Sequence, residues 1–420
     1  MISLETRFSG HWIVAAHGTG KTNLLLDMLA SDLQKDASII VMDSKGDLTT
    51  PVRVLALGER LVVLDPHEPF ALNPLDSPHK DIEHAISHIE YVLSALLEAR
   101  LTPMQKSFFD SLIRALILAF PEPTLLTVQS VINEGPKPYQ RYIQALPDDL
   151  QRFFQYEWSD YDRTRSELKW RLRLILGRDF TRNIFSSPRT RFDIGKAMDT
   201  GKVVVIDNAQ SKLHPEGSSF LGRFFISRIW DAATARASRP RAQKKPVFVY
   251  IDEAHLVIRE DPKIAAIIDE CRSQNIALIL AHQRMKQIKD PDVLSALENC
   301  AIKMANVDAE AKYFSELLHI PVDKIDTLPI GHFAMHVRGE GSSIVEVPLA
   351  ELPYRNMTDG EKAAHRQRMR DLYGYVKPPA KTHEAPTKAE ASRVDISPPA
   401  KADDRQSIPD DSHTQAAKDW

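Results

Sequence analysis

The 420-residue sequence predicts an α/β fold with a mostly parallel, doubly wound sheet, an all-helical insertion and a disordered C-terminal tail. Three observations lead to this prediction. Short apolar runs rich in β-branched residues alternate with helical patterns over most of the chain. One long interval shows only the 3.6-residue apolar period of helices. The last part of the chain is nearly free of large apolar residues.

Nine apolar runs, each ended by turn or polar residues, are predicted to be strands. Several are continuous rather than alternating, which indicates strands covered on both faces. Helical patterns at 21–35 and 217–236 separate strands, so most of the strands should be parallel. The predicted strands are 12–16, 38–43, 60–65, 202–207, 247–252, 276–281, 301–305, 332–337 and 344–348.

The interval from 78 to 192 has no convincing strand, and we predict that it is an all-helical insertion with a break at 121–123. The α/β domain then consists of 1–77 and 193–354. Residues 355–420 are rich in Pro, Ala, Ser and charge. Such a segment cannot bury enough apolar surface to offset its chain entropy, so we expect a disordered tail.

Composition excludes several classes of protein. With 54 Lys+Arg against 57 Asp+Glu the net charge is -3, which excludes a globally basic nucleic-acid coat but allows a local DNA-binding patch. Two cysteines, Cys271 and Cys300, exclude a disulfide framework and a cysteine zinc site. The start is not a secretory signal, and the most apolar stretch, 111–120, carries Arg114 and is too short for a membrane span. We therefore expect a cytoplasmic protein.

A phosphate-binding loop is predicted between the first strand and the helix that follows it. Its backbone N–H groups and the helix N-terminus would hold the β- and γ-phosphates. Lys21 would neutralise phosphate charge and the Thr22 hydroxyl would bind Mg²⁺. The alternative is a plain glycine-rich turn. The loop residues are Ala15 (where the pattern usually has glycine), Ala16, His17, Gly18, Thr19, Gly20, Lys21 and Thr22.

Two carboxylates end the strand at 247–252, at the sheet edge where open α/β sheets bind ligands. Asp252 would hold Mg²⁺, and Glu253 would orient and polarise the attacking water. The alternative is an acidic cap for the next helix. Gln283, after the strand at 276–281, would sense the γ-phosphate or be an ordinary strand end. Together with the loop, these residues predict a RecA-like P-loop NTPase domain that hydrolyses its nucleotide.

The ordered set of segments resembles the HerA/FtsK superfamily of ring-forming ATPases. Within it the sequence is most similar to type IV secretion coupling proteins of the TraG/TraD type, which serve conjugation, and to HerA-like DNA translocases. The likeness covers about 12–350, and the family commonly has Pro where Ser44 stands. The segments are HGTGKT at 17–22, DSKGDL at 43–48, NPLD at 73–76, YIDEAH at 250–255, ECRSQNIALILAHQ at 270–283, NVDAEAKYF at 306–314 and LPIG at 328–331.

This resemblance implies ATP and Mg²⁺ as cofactors and a homo-oligomeric ring of six subunits. Lys21 and Thr22 then bind them, Asp252 is the Walker B aspartate and Glu253 the catalytic glutamate. Gln283 matches the sensor glutamine. Arg272 matches an arginine finger that acts on the ATP of the neighbouring subunit; the alternative is a solvated helix residue.

The family's membrane-anchored members carry N-terminal transmembrane helices, whereas this P-loop begins within the first 15 residues. The resemblance therefore implies a soluble relative, which docks on a separately encoded anchor or secretion-channel partner at the inner face of the membrane, or acts in the cytosol.

The main candidate region for DNA contact is 151–191, which contains ten basic residues, five acidic residues and interleaved aromatic residues. Such a mixture suits phosphate neutralisation and base stacking, although a solvated helical face over an aromatic core is slightly favoured. A second basic stretch, 236–245, is a pore-facing contact or, preferably, a mobile loop. Three functions remain: a DNA-translocating ring motor, an ATPase that moves or assembles a protein cargo, and a less favoured small-molecule phosphotransferase.

Overall fold

The computed structural model describes residues 2–68, 70–76, 82–97, 102–258 and 263–375. Within them the strands form one sheet in the order β3-β4-β2-β5-β6-β1-β7-β8-β9, so the first strand lies inside the sheet. The pairs among β1 to β7 are parallel, and β8 and β9 are added antiparallel. The strands are β1 (His11–Ala15), β2 (Ser38–Asp43), β3 (Leu61–Leu64), β4 (Val203–Asp207), β5 (Val247–Asp252), β6 (Ile276–His282), β7 (Ile302–Asn306), β8 (His332–Val337) and β9 (Gly341–Glu346).

All nine predicted strands are present, and the predicted α/β fold with a mostly parallel sheet is confirmed. The largest shift in bounds is in β9, which begins three residues before the predicted start at Ile344. Strands β1, β2, β4, β5 and β6 are buried along their whole length, as expected for strands that read as continuous apolar runs.

Helices cover both faces of the sheet. The face that carries Ile13 packs against α1 to α3, and the face that carries Trp12 packs against α11 to α16 and the insertion. The described α-helices are α1 (Leu4–Phe8), α2 (Lys21–Leu33), α3 (Thr49–Val52), α4 (Ile82–Leu97), α5 (Pro103–Ala119), α6 (Leu125–Glu134), α7 (Gln140–Ile143), α8 (Asp148–Arg152), α9 (Asp162–Leu176), α10 (Asp179–Phe185), α11 (Ile194–Asp199), α12 (Gln210–Ala235), α13 (His255–Ile258), α14 (Lys263–Ser273), α15 (Pro291–Glu298), α16 (Ala311–Leu318), α17 (Val322–Asp326) and α18 (Asp359–Tyr373).

In the described part of 78–192 the regular elements are all helices, α4 to α10, as the sequence predicts. The two ends of this insertion are tied together by the segment at 73–76. The Asn73 amide donates to the Pro188 carbonyl at 2.9 Å, and the Asp76 carboxylate accepts from the Thr190 N–H at 2.8 Å. Asn73 and Asp76 therefore fix the point where the chain enters and leaves the sheet domain.

The predicted tail begins too early. Residues 359–373 form α18, capped by Thr358 and Glu361 in a reciprocal capping box. The helix is anchored to the rest of the protein through Arg191, whose guanidinium donates to the Asp371 and Gly374 carbonyls. Isolated bridges pair Leu55 with Asn356 and Phe70 with Gly374. The disorder prediction is wrong for this stretch, and residues 376–420 lie outside the described residues.

No described helix combines the length and the apolar character that crossing a membrane requires.

Candidate nucleotide site

The predicted phosphate-binding loop joins β1 to α2 and has the backbone that glycine permits. Gly18 and Gly20 have φ of 82° and 100°. A Cβ on Gly20 would lie 3.2 Å from the Gly331 nitrogen, and one on Gly18 would meet nothing within 4 Å. Gly20 is therefore required by both its φ and its neighbour, whereas Gly18 faces open space.

A turn at 328–331 supports this loop from behind. The Gly331 N–H donates to the Thr19 carbonyl at 2.9 Å. Asn306, at the end of β7, holds this turn in place. Its side-chain amide donates to the Pro329 and His332 carbonyls at 3.0 and 2.7 Å. The sequence resemblance contained both segments, but the structural role of Asn306 could not be read from it.

The two predicted carboxylates lie opposite the loop, at the end of β5. The Lys21 ammonium contacts Asp252 and lies 3.4 Å from Glu253 Oε1. All three side chains are buried. The predicted phosphate-binding lysine and the predicted Walker B pair are therefore brought together in one cluster.

Glu253 is held by more groups than the sequence indicated. Its Oε1 accepts from Gln283 Nε2 at 2.5 Å and lies 2.7 Å from Lys45 Nζ. His255 Nδ1 is 3.5 Å from Oε2. The residue adopts a left-handed backbone with φ of 53°, a conformation that costs a non-glycine residue about 1 kcal/mol or more and is concentrated at functional sites.

The two carboxyl groups are shifted in opposite directions. Burial alone would raise the pKa of Glu253, but Lys21 and hydrogen bonds from Lys45 and Gln283 lower it to about 2. Burial raises the pKa of Asp252, which Lys21 opposes and the nearby Asp43 carboxylate reinforces. Burial, only partly offset by an ammonium that Asp252 shares with Glu253, therefore makes the ionised form of Asp252 unfavourable.

Lys45 is the site residue that sequence reasoning missed. It follows β2, where Asp43 accepts from the Lys45 N–H at 2.8 Å and from the Leu48 N–H at 2.7 Å. Strand β2 is hydrogen-bonded to β5, with Asp43 opposite Asp252. The signal was the lysine directly after a strand, but the sequence does not say that this strand neighbours β5.

Gln283 is positioned by the buried end of β6. The preceding His282 accepts from Trp12 Nε1 at 2.8 Å, and its Nδ1 lies 3.1 Å from the Arg284 carbonyl. Burial lowers the pKa of His282 to about 4, so near neutral pH the ring is uncharged and donates from Nδ1. These two bonds fix the backbone that carries the glutamine toward Glu253.

These residues surround a cavity of about 400 Å³ at the edge where the parallel strands end. Ala15 and Thr19 do not line it; Ala15 is buried at the end of β1, and Thr19 is held within the loop by its hydroxyl bond to the Ala16 carbonyl. The lining residues are Ala16, His17, Gly18, Gly20, Lys21, Thr22, Asn23, Lys45, Asp47, Asp252, Glu253 and Gln283.

Arg272 lies elsewhere. It is exposed in the last turn of α14, just before β6 begins, and therefore at the opposite edge of the sheet from the cavity. It does not reach the cavity of its own chain. If it acts on a nucleotide, that nucleotide must belong to another subunit.

The residues fit a magnesium nucleotide. Lys21 is a buried cation beside a loop with two left-handed glycines, and Thr22 and Asp252 place oxygen-bearing side chains at the same cavity. Among the described residues no group of three or more His, Cys, Asp or Glu side chains is placed to hold a metal ion. At phosphate sites Mg²⁺ is typically bound by one or two protein side chains together with phosphate oxygens and water.

The fold and site define a P-loop NTPase, and comparison with solved structures identifies its type of fold. No protein-family model and no curated protein matches the sequence. The bacterial conjugative coupling protein TrwB, in an unbound form, is similar with a TM-score of 0.58 and 13% identity, over 84% of this chain and 88% of that chain. VirB4 of Thermoanaerobacter pseudethanolicus has a TM-score of 0.54 and 13% identity, over 83% and 93%.

TrwB has also been solved with ADP and Mg²⁺, and that structure matches with a TM-score of 0.57 and 13% identity, over 84% and 88% of the two chains. At this identity the likeness shows the fold. The protein therefore has the fold of the coupling protein TrwB and of VirB4, and the predicted resemblance is confirmed at that level.

Proposed function

We propose that the protein is an Mg²⁺-dependent ATPase that moves DNA as a ring-forming motor. One observation carries the ATPase proposal: Lys21, Asp252, Glu253 and Gln283, which come from three separate segments, meet at one cavity beside the glycine loop. It is supported by the structures of TrwB with an ATP analogue and with ADP and Mg²⁺.

The loop N–H groups and Lys21 would hold the phosphates, and Thr22 and Asp252 would hold Mg²⁺. The bound metal ion would neutralise charge on the β- and γ-phosphate oxygens. For Lys21 to reach a phosphate it must leave the two carboxylates it contacts, and it can do so because the cavity lies beside it.

Glu253 would orient the attacking water and accept its proton, and Gln283 would hold the carboxylate in place through its 2.5 Å hydrogen bond. While Lys21 and Lys45 lie beside it, the pKa of Glu253 is about 2 and the carboxylate is a weak base. Departure of Lys21 to the phosphates would raise its basicity at the moment when the base is needed.

Two features support DNA as the track. The first is the fold shared with a conjugative coupling protein. The second is an exposed part of α9, where the Trp170 side chain is 64% exposed and the Arg173 guanidinium lies 5.6 Å from its ring centre. Stacking side chains next to cations hold single strands without sequence preference.

In the structure, fewer residues of the two basic regions are available to contact DNA than the sequence suggested. Four of the eight aromatics of 151–191 belong to a buried cluster around Phe108, as the alternative interpretation holds: Phe153, Trp158 and Tyr161, which contact Phe108, and Phe154, which contacts Phe153 and Trp158. In the basic stretch at 236–245, several side chains form ion pairs within the chain. Arg236 is buried and pairs with Asp199, as Arg239 does, while Lys245 pairs with Asp36.

The ring is proposed to be a hexamer in which Arg272 acts on the nucleotide of the neighbouring subunit. Its position at the far edge of the sheet supports action between subunits. A cytoplasmic motor of this kind would be recruited to the inner face of the membrane by a secretion-channel or anchor partner. The alternative function is an ATPase that moves or assembles a protein cargo with no DNA track.

The test is steady-state ATP hydrolysis with Mg²⁺, measured without nucleic acid, with single-stranded DNA and with duplex DNA. Stimulation by DNA, lost in Glu253→Gln and Arg272→Ala, is the expected result. Hydrolysis that ignores both forms of DNA would favour a protein cargo, and no hydrolysis by the wild type would overturn the ATPase proposal.

Mixing of variant subunits tests the proposed arginine finger, Arg272, in a separate experiment. Lys21→Ala subunits have an intact Arg272, and Arg272→Ala subunits have an intact site, so mixed rings should recover hydrolysis that neither variant shows alone. No recovery in rings that contain both variants would contradict action between subunits.

A further inference from the structure

Lys45 contacts Glu253 from outside the nucleotide-binding loop. It lies in the turn after β2, and its Nζ is 2.7 Å from Glu253 Oε1. The carboxylate side chain is only 3% exposed, whereas the lysine side chain is 44% exposed. The lysine therefore reaches a buried carboxylate from the open side of the cavity.

The backbone of Lys45 is fixed while its side chain is free to turn. Asp43 accepts from the N–H groups of Lys45 and Leu48 at 2.8 and 2.7 Å. The Ser44 carbonyl accepts from the Gln210 N–H at 2.8 Å, and Gly46 has φ of 97°. A long, exposed side chain on an anchored turn can change partners without any movement of the sheet.

Three donors share one oxygen of Glu253. Gln283 Nε2, Lys45 Nζ and Lys21 Nζ lie 2.5, 2.7 and 3.4 Å from Oε1. An oxygen crowded in this way cannot also accept from a water molecule. For Glu253 to orient water through Oε1, at least one ammonium must find another anion.

We propose that Lys45 is a positioning residue that holds Glu253 inactive, and that it exchanges this carboxylate for a phosphate group that enters the cavity. The inference rests on the proposed function. Lys45 lines the same cavity as Lys21 and Thr22, so the terminal phosphate of a nucleotide is the phosphate that the geometry favours. A phosphate of a DNA backbone has the same chemistry and is distinguished by the experiment.

The experiment measures binding rather than turnover. Dissociation constants for ATP and ADP are determined for the wild type, Glu253→Gln, Lys45→Met and the double variant. Neutral glutamine no longer holds the ammonium, so Glu253→Gln should bind ATP about fivefold more tightly or better. Most of this gain should disappear in the double variant, and the remainder is due to Lys21, which Glu253 also contacts. The part that depends on Lys45 should persist with Lys45→Arg and be absent for ADP, which lacks the terminal phosphate.

Lys245→Met is the matched control, because Lys245 also pairs with a carboxylate, Asp36, but contacts nothing at the cavity. Lys245→Met should leave unchanged the gain in ATP affinity that Glu253→Gln produces. Equal gains with and without Lys45 would overturn the inference while leaving the proposed ATPase in place. If the variants show the expected pattern of ATP affinities but the wild type does not hydrolyse ATP, only the proposed function is overturned.

The same cycle is repeated with a single-stranded oligonucleotide and no nucleotide. A gain with the oligonucleotide and none with ATP would assign the phosphate to DNA and overturn the nucleotide assignment. Failure of the wild type to bind ATP would overturn both proposals.

Discussion

Helix α2 and strand β5 are joined by a buried ion-pair cluster at each end, and the two clusters are built differently. At the end away from the cavity, the Arg7 guanidinium donates to both oxygens of Asp32 at 2.5 and 2.8 Å. The Tyr250 hydroxyl adds a bond of 2.5 Å to the same carboxylate, which is fully buried. Arg7 also lies 4.4 Å over the Phe248 ring. Lys35 Nζ also lies 2.7 Å from Asp32 Oδ1, so one buried carboxylate is matched by two cations.

At the cavity end, Lys21 is shared by Asp252 and Glu253, and Glu253 is shared by two lysines and an amide. The pKa values reflect the difference. Burial opposes ionisation at both ends, but the Arg7 hydrogen bonds lower the pKa of Asp32, whereas Asp252 remains raised. The comparison indicates that a buried carboxylate matched by two cations stabilises the fold, whereas carboxylates that share their cations beside a cavity can exchange them for a ligand.

The largest effect is expected at the cavity end. Glu253→Gln removes the proton acceptor, so ATP hydrolysis should fall by about 10²–10⁴-fold in a phosphate-release assay. Thermal unfolding should move to a lower temperature, because the ionised Glu253, whose pKa is lowered to about 2, stabilises the fold; hydrolysis is therefore compared at a temperature where both proteins are folded. Glu346→Gln, at an exposed position on β9, is the control and should retain full activity. An active Glu253→Gln enzyme would mean that another group activates the water.

Asp32→Asn is expected to lower the free energy of unfolding by about 3–5 kcal/mol, because it leaves Arg7 buried without its counter-charge. The same change at the other end, Asp252→Asn, should cost less than about 1 kcal/mol because it relieves an excess of negative charge. Urea unfolding of both variants measures the difference. Equal losses would remove the distinction between the clusters.

Tyr250→Phe should lower the free energy of unfolding by about 1.5–3 kcal/mol. It deletes a buried hydrogen bond to the Asp32 carboxylate, whereas the ion pair of Asp32 with Arg7 remains. Hydrolysis by the folded variant should be normal. Tyr139→Phe is the matched control, because that hydroxyl also bonds a carboxylate, Glu134, but in an exposed pair. If Tyr250→Phe lost less unfolding free energy than Tyr139→Phe, burial would not be what makes the Tyr250 hydrogen bond stabilising.

The smallest effect is the response to pH, and its sign differs between the ends. The pKa of Asp32 lies below its ordinary 3.8, so its contribution to stability is present above that pH and is lost as the pH falls further. The pKa of Asp252 lies above 3.8, so its ionisation destabilises the fold at neutral pH and less so as the pH falls toward 3.8.

Unfolding free energies measured from pH 7 to 3 test this contrast. Relative to Asp252→Asn, the wild type should gain stability as the pH falls toward 3.8. Relative to Asp32→Asn, it should lose stability below that value. Parallel curves for the wild type and Asp252→Asn would show that the Asp252 carboxyl is not destabilised by its surroundings.

The sequence predicted the strands because a strand covered on both faces is apolar at every position, as in Val247–Asp252. It predicted the loop and the Asp252–Glu253 pair because these are local patterns. It could not predict Lys45, because the contact with Glu253 depends on β2 lying next to β5. Sequence spacing does not give the order of strands in a sheet.

Helix α18 was missed for a different reason. Only His365 and Met369 are buried along its length, so it has almost no apolar face to detect. Its cap was visible, since Thr358 and Glu361 have the spacing of a capping box. The helix is positioned by polar contacts with distant segments, such as Arg191, and these cannot be inferred from local sequence.

The place of β1 between β6 and β7 has a consequence for how the protein is made. The strand that carries the phosphate loop is synthesised first among the strands, yet both of its neighbours come after Ile276. At 5–20 residues per second, a ribosome needs roughly 15–50 s to supply them. During that time β1 has neither of the strands with which it pairs, so an apolar segment around Trp12 stays without its sheet neighbours until most of the domain has been made.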